Sequence, residues 1–335
     1  MGAHLTITEG MRLSRTGRVW SCILTLLSML AAGIGMCADA DAKRPLFSRP
    51  QVLTGAPLVV DPAGVFRSLP LPVAPGYLTF ISPVAVVARN NIVYIVDAGH
   101  RQVLRYDPAR LSISRFVGTI GGTASAIAVG PDLSLYIAEA GTGQVLHYAW
   151  DGRPLPAFRS ETVMRQPVGV VADDATSHVF IADSLYNHVV VFSGLGRAIT
   201  VFRPDEAQSV EAMARGPDGL YLVDSLGQQV VVMAYDGRDL YAFGNGALKM
   251  PHAIAVDRFN RVYVSDDFDN TIKVFEGREL VATLGRNSGG AATASFNRIT
   301  FLSIDQNTLY VADSLNGRIQ SFQIAPVPGR RPPAR

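Results

Sequence analysis

A carboxylate and an imidazole, Glu211 and His252, stand at the same place in two consecutive copies of a repeated unit. Side by side, such a pair can move a proton or offer two ligands to a cation. It equally suits the wall of a wet channel, as a polar pair with no chemistry of its own. Two donors also fall short of the ligand set that a zinc ion takes. The aligned positions in the other copies are Val84, Ser125, Val168 and Thr300, which are apolar or hydroxylic. His100 and His188 fall in turns between second and third strands, His147 in a third strand and His178 in a turn between first and second strands. None joins His252. No Ser-His-Asp set, phosphate-binding loop or dinucleotide fingerprint is present.

What places Glu211 and His252 is a phrase that recurs six times. Its copies are Tyr94-Ile-Val-Asp97, Tyr136-Ile-Ala-Glu139, Phe180-Ile-Ala-Asp183, Tyr221-Leu-Val-Asp224, Tyr263-Val-Ser-Asp266 and Tyr310-Val-Ala-Asp313, with the acids 41 to 47 residues apart. Self-similarity at that period marks a propeller or a solenoid. In the fifth unit, Ala253-Ile-Ala-Val256, Arg261-Val-Tyr-Val-Ser265, Thr271-Ile-Lys-Val-Phe275 and residues 279–284 read as four short strands separated by turns. Four antiparallel strands per unit make one blade, so the expected fold is all-β, a six-bladed β-propeller. Small apolar runs such as Val84-Ala-Val-Val-Ala88 suit the crowded axis. On this alignment Ser125, Glu211, His252 and Thr300 face the mouth of the central channel.

Six acids at one position invite a metal or catalytic reading. Each, however, begins a turn, where a carboxylate accepts backbone N–H bonds. One per blade is what a structural role predicts, so Asp97, Glu139, Asp183, Asp224, Asp266 and Asp313 read as turn fasteners. The turns Asp151-Gly-Arg153, Gly196-Arg197, Asp236-Gly-Arg238 and Glu276-Gly-Arg278 close the outer hairpins, Asp-Gly favouring positive-φ turns. Their arginines read as surface residues. The pairs Asp173-Asp174 and Asp266-Asp267 read as solvated rather than calcium-binding.

The units resemble NHL repeats. Tyr-Val-Ala-Asp-Ser-Leu-Asn-Gly-Arg-Ile-Gln-Ser-Phe, residues 310–322, carries the family phrase nearly intact, with weaker copies at 180–192 and 263–275. Pro251-His-Ala-Ile-Ala-Val-Asp257 resembles the family's opening. Gly99-His-Arg-Gln102, Gly141-Thr-Gly-Gln144 and Gly227-Gln-Gln229 depart from its Asn–Arg turn. The resemblance spans about residues 78–324. It implies a six-bladed scaffold whose faces and central mouth bind partners. Some relatives resemble a peptidyl-hydroxyglycine lyase domain, a zinc enzyme needing three convergent histidines; lactonase-type propellers need carboxylate and amide ligands on several inner strands. Here only Glu211 and His252 occupy such places.

The chain ends complete the reading. The sixth unit lacks a fourth strand, and residues 64–69, Gly-Val-Phe-Arg-Ser-Leu, look like a spare one; an N-terminal strand is thus expected to complete the last blade and remove an exposed edge. Residues 1–42 read as a signal peptide: Arg12, Arg15 and Arg18 precede an apolar stretch and two Ala-Asp-Ala sites. Met11 is an alternative start, and an uncleaved leader would be a single anchor. Residues 43–63 read as a linker, 64–325 as the propeller and 326–335 as a disordered Pro/Arg-rich tail. Both cysteines, Cys22 and Cys37, lie in the leader, so the mature chain has no disulfide or thiolate. A net charge of +2 with no basic block outside leader and tail argues against nucleic acid. The expectation is an exported, monomeric, non-catalytic scaffold at the cell envelope with a protein or peptide partner at one face and no cofactor. The rival is a metal-dependent lyase or hydrolase using Glu211 and His252, with zinc or calcium as its ion.

Overall fold

A computed structural model of the chain describes residues 46–48, 50–58, 76–121, 123–285 and 295–326. The leader, residues 64–69 and tail residues 327–335 lie outside the described residues. Six four-stranded antiparallel sheets succeed one another as blades 1 to 6, over 83–117, 124–159, 167–202, 210–243, 251–285 and 299–323. In each, the first strand is innermost and the chain steps outward. All of the repeated phrases form the second strand, as their alternation of aromatic and aliphatic residues requires. A 3₁₀ turn, Ser314–Asn316, is the only helical element among the described residues.

The core is divided among the blade interfaces. Six buried clusters lie between successive blades, and the last of them joins blade 6 to blade 1. The second-strand aromatics are their largest members. Tyr221 and Tyr263 are wholly buried, and fully burying a side chain of that kind contributes about 1.5–3 kcal/mol. The outer hairpins behave as read: Gly152, Gly196, Gly237 and Gly277 all have φ between 62° and 91°, the left-handed region where a side chain is strained.

An N-terminal strand completes blade 6, but it is Gln51–Leu53, not the segment 64–69. Gln51 pairs with Ser321, Val52 with Gln320 and Leu53 with Ile319. The match extends upstream, where Phe47 bridges to Ile324 and its ring meets Tyr263 and Phe322 edge-on, each at 6.2 Å. So the described part of the expected linker, 43–63, is corrected to structured edge: Phe47 is buried, and Gly55–Pro57 pairs with Tyr77–Thr79 in a small extra sheet. Phe47 explains the choice. An aromatic that fills the wedge between blades 5 and 6 anchors a strand whose own three residues carry little periodicity.

Candidate functional site

The innermost strands carry a shared irregularity that builds the site. In every blade the first residue of the inner strand pairs with the turn acid, and the register then slips: at Pro83/Ala85, Ala124/Ala126, Pro167/Gly169, Val210/Ala212, Pro251/Ile254 and Ile299/Phe301. The residue left out of the ladder is Val84, Ser125, Val168, Glu211, His252 (with Ala253) or Thr300. A bulge bends its strand and re-aims the freed side chain. Here all six line one axial cavity of about 270 Å³, with Met213 and Phe301 deeper in its wall. Gly169 allows the close approach of blade 4: a Cβ there would sit 2.9 Å from that of Met213.

The four polar members differ in what they are free to do. Ser125 Oγ donates to the Pro167 carbonyl of the next blade at 2.7 Å. Thr300 Oγ1 lies 2.8 Å from Ser314 Oγ. These hydroxyls staple backbone and turn. Glu211 and His252, both half-buried, have no hydrogen-bond partner among the described residues. Asp267 stands near His252 and Arg298, whose charges favour its ionised form; burial, the largest influence, and the neighbouring Asp266 carboxylate outweigh them and push its carboxyl above the usual range. Mouth polarity thus gathers on blades 4 and 5, while Val84 of blade 1 and Val168 of blade 3 supply apolar wall.

The opposite end of the axis is crossed by ion pairs. Arg89, the last residue of the inner strand of blade 1, reaches past blade 2 to Asp174 of blade 3, with both guanidinium nitrogens 3.1 Å from the carboxylate. Arg215 of blade 4 joins Asp173 and Asp174 at 3.6 and 3.5 Å. Asp173 is buried and takes Thr176 Oγ1 at 2.6 Å. Asp173 is therefore buried, contrary to expectation, while Asp174 in the same network is exposed; the other pair splits between a buried fastener, Asp266, and the partly buried Asp267 near His252.

The six turn acids are buried and bind the loop that leads into their own blade. Asp97 accepts N–H from Ile81, Ser82, Gly99 and His100 at 2.9–3.1 Å. Glu139 holds Gly121, Asp183 holds Arg165 and Gln166, Asp224 holds Ser209, and Asp313 holds Asn297. Asp266 holds Lys249 and Met250 and accepts a 2.5 Å bond from Lys273 Nζ. Burial alone would raise its carboxyl, but the Lys273 bond and the two N–H donors hold it below the usual range.

The remaining histidines stand apart. His188 begins a third strand and contacts the Val163 carbonyl at 2.7 Å, and His100 that of Thr79 at 2.8 Å. His147 is buried and stacked on Tyr136 with ring centroids 4.4 Å apart. Among the described residues no group of three or more Asp, Glu, His or Cys side chains could hold a metal ion.

No family profile matches the chain. It is 24% identical over 314 residues to NHL repeat-containing protein 2 of Homo sapiens, covering 73% of this chain and 39% of that protein. The repeat and the six closed blades decide the matter. The chain is a six-bladed β-propeller whose repeats are similar to those of an NHL repeat protein. It spans about two fifths of the length of that curated relative. Among solved structures, the propeller is similar to a streptogramin B lyase, with TM-score 0.57 and 10% identity over 85% of this chain and 90% of that one. It is also similar to a catalytically inactive virginiamycin B lyase from Staphylococcus aureus with quinupristin, with TM-score 0.56 and 14% identity over 83% of this chain and 100% of that one. A structural genomics protein of unknown function from Bacteroides thetaiotaomicron has TM-score 0.60 and 15% identity, over 73% and 70% of the two chains. At such identities these likenesses establish the fold alone.

Sequence reasoning missed one neighbour of His252 and one feature around the mouth. Asp267 was legible only as half of an acidic pair. A ring of exposed apolar turn residues had a signal: Asp-Ser-Leu occurs at 183–185, 224–226 and 313–315.

Proposed function

We propose that this propeller is an exported, non-catalytic binding scaffold whose ligand seat is the channel mouth. The observation that carries the reading is the bulge in each inner strand, which aims six side chains of five kinds at one cavity and leaves Glu211 and His252 without hydrogen-bond partners among the described residues. A reaction centre needs groups in mutual reach with assigned roles. A binding seat needs an apolar wall and a few polar contacts, which is what this cavity offers. Export follows from the leader, and a monomer from a core closed on itself. Among the described residues no helix is long and apolar enough to cross a membrane.

The test is a thermal-shift screen with small molecules and peptides on wild type, Glu211→Ala and His252→Ala. A ligand that binds only the folded state raises its stability by about 2.7 kcal/mol at a hundredfold excess over Kd. Hits lost in both variants support the seat. Stoichiometric zinc or calcium in the purified protein, removed by His252→Ala, would overturn the non-catalytic reading in favour of the metal-dependent rival. Export is checked by fractionation and N-terminal sequencing of the mature chain, with cleavage expected after Ala40 or Ala42.

A further inference from the structure

The mouth is ringed by exposed apolar side chains that the fold does not use. Leu185, Leu226, Phe268 and Leu315 are 60–70% exposed. Each stands two residues after the turn acid of its blade, in blades 3, 4, 5 and 6. Because the first residue of each inner strand pairs with that acid, these turns and the cavity mouth lie at one end of the axis. Blades 1 and 2 carry Gly99 and Gly141 there instead; a Cβ on Gly99 would fall 2.4 Å from Ile81 and one on Gly141 2.7 Å from Thr123. At this turn position the apolar residues are thus confined to an arc over blades 3 to 6, where they bracket the two blades that supply Glu211 and His252; in blade 1 the exposed Ile81 lies against Gly99 instead. Scattered exposed leucines need no explanation, but a repeated one at a ligand-sized mouth marks a contact surface.

Charge selects the occupant. Glu211 has neither a hydrogen bond nor an ion pair among the described residues. Among the described residues no Lys or Arg side chain lines the cavity beside Glu211. The far end of the axis is crossed by the Arg89–Asp174–Arg215 pairs, so a ligand reaches Glu211 past the apolar arc. We propose that Leu185, Leu226, Phe268 and Leu315 form a docking surface for a peptide segment of a partner protein. That segment lays apolar side chains on the arc and passes one Arg or Lys side chain into the mouth to meet Glu211. The proposal rests on the mouth being a binding seat. Anchoring one basic side chain in a desolvated pocket inside an apolar ring is how few-residue contacts reach useful affinity.

The experiment uses labelled, N-acetylated hexapeptide amides Leu-Phe-Gly-Xaa-Gly-Leu, with Xaa as Arg, Lys, citrulline or Glu, and fluorescence anisotropy on the mature chain. Arg and Lys peptides are expected to bind at least tenfold more tightly than the citrulline peptide, and the Glu peptide more weakly still. Glu211→Gln removes the preference for Arg over citrulline. Leu226→Ser with Phe268→Ser weakens every peptide at least tenfold while leaving Tm unchanged. No binding by the basic peptides, equal binding of Arg and citrulline, or a double variant that binds like wild type overturns the proposal. So does a wild-type dimer in sedimentation that the double variant dissociates, or binding to phosphatidylglycerol vesicles that it abolishes; the arc would then serve a second copy or a membrane. If the double variant is silent while His252-dependent thermal shifts persist, the docking surface falls and the binding seat stands.

Discussion

Two rings of six residues encircle the same axis at the same end of the propeller, and they obey opposite rules. The turn acids are nearly identical in every blade: five aspartates and one glutamate, buried, each receiving N–H groups from the loop that leads into its own blade. The mouth residues, one step along the strands those acids pair with, are Val, Ser, Val, Glu, His and Thr. The difference is in the backbone. An acid opposite a fixed set of N–H donors has one solution, repeated six times. A bulged residue is released from the ladder, so its side chain is free to vary without disturbing the blade. Agreement among the blades marks what the fold requires, and disagreement marks what a ligand selects.

The largest effect expected from this contrast is on the acid side. Asp266→Ala leaves the N–H groups of Lys249, Met250 and Phe268 without their carboxylate and leaves the buried ammonium of Lys273 with only Asp269, at 3.3 Å. Removing one partner of a buried ion pair costs about 3–5 kcal/mol. Urea denaturation should show a loss of that size. A loss below about 1 kcal/mol, the median worth of an exposed pair, would mean that the acid is not a fastener.

Ser125 stands between the two rings, a mouth residue whose hydroxyl serves the backbone. Ser125→Ala gives up the 2.7 Å bond to the Pro167 carbonyl across the blade 2–3 interface, a loss of about 0.5–1.5 kcal/mol. Ligand-induced thermal shifts should be unchanged. A variant of full stability with altered binding would instead move Ser125 into the ligand-selecting set.

That Ser125, Glu211 and His252 share a level was legible from repeat alignment, because blades of nearly constant length bring equivalent residues to equivalent depths. The fastener role was legible for the same reason. What escaped was set by contacts the period does not encode. The closing strand is three residues long and is held by Phe47, whose burial between blades 5 and 6 nothing local announces. The residues 64–69 carry the better strand pattern in sequence. Asp173 and Asp267 read as solvated turn acids because their neighbours Arg215 and His252 come from another blade or another strand. The bulges have no signature in one sequence, yet they are what turns six side chains inward.

A smaller, pH-bound effect separates fasteners from a bystander. Burial lowers the pKa of His147 below its ordinary 6.5, with Asp132 opposing the shift. Above that value the imidazole is neutral in both states and stability is complete. As pH falls through 6.5 the unfolded chain takes up a proton that the folded one resists, so stability declines. Asp266, whose pKa is depressed, contributes stability that is present above its ordinary 3.8 and lost only as pH falls below it towards the folded value. The first window opens at 6.5 and the second only at 3.8. Tm followed from pH 7.5 to 5 should therefore decline in wild type and stay flatter in His147→Phe; equal slopes would remove His147 from the account.

The smallest effect is the one on which the contrast turns. Glu211→Ala and His252→Ala remove half-buried side chains that have no hydrogen-bond partner among the described residues, at bulged positions outside the ladder. Substitutions of that kind lie within about 0.5 kcal/mol of wild type. Urea midpoints should coincide with wild type for both, while ligand or peptide binding at the mouth is lost. If either substitution costs stability on the scale of Asp266→Ala, its side chain belongs to the ring that holds the propeller together. The disagreement among blades would then record local packing and not the choice of a ligand.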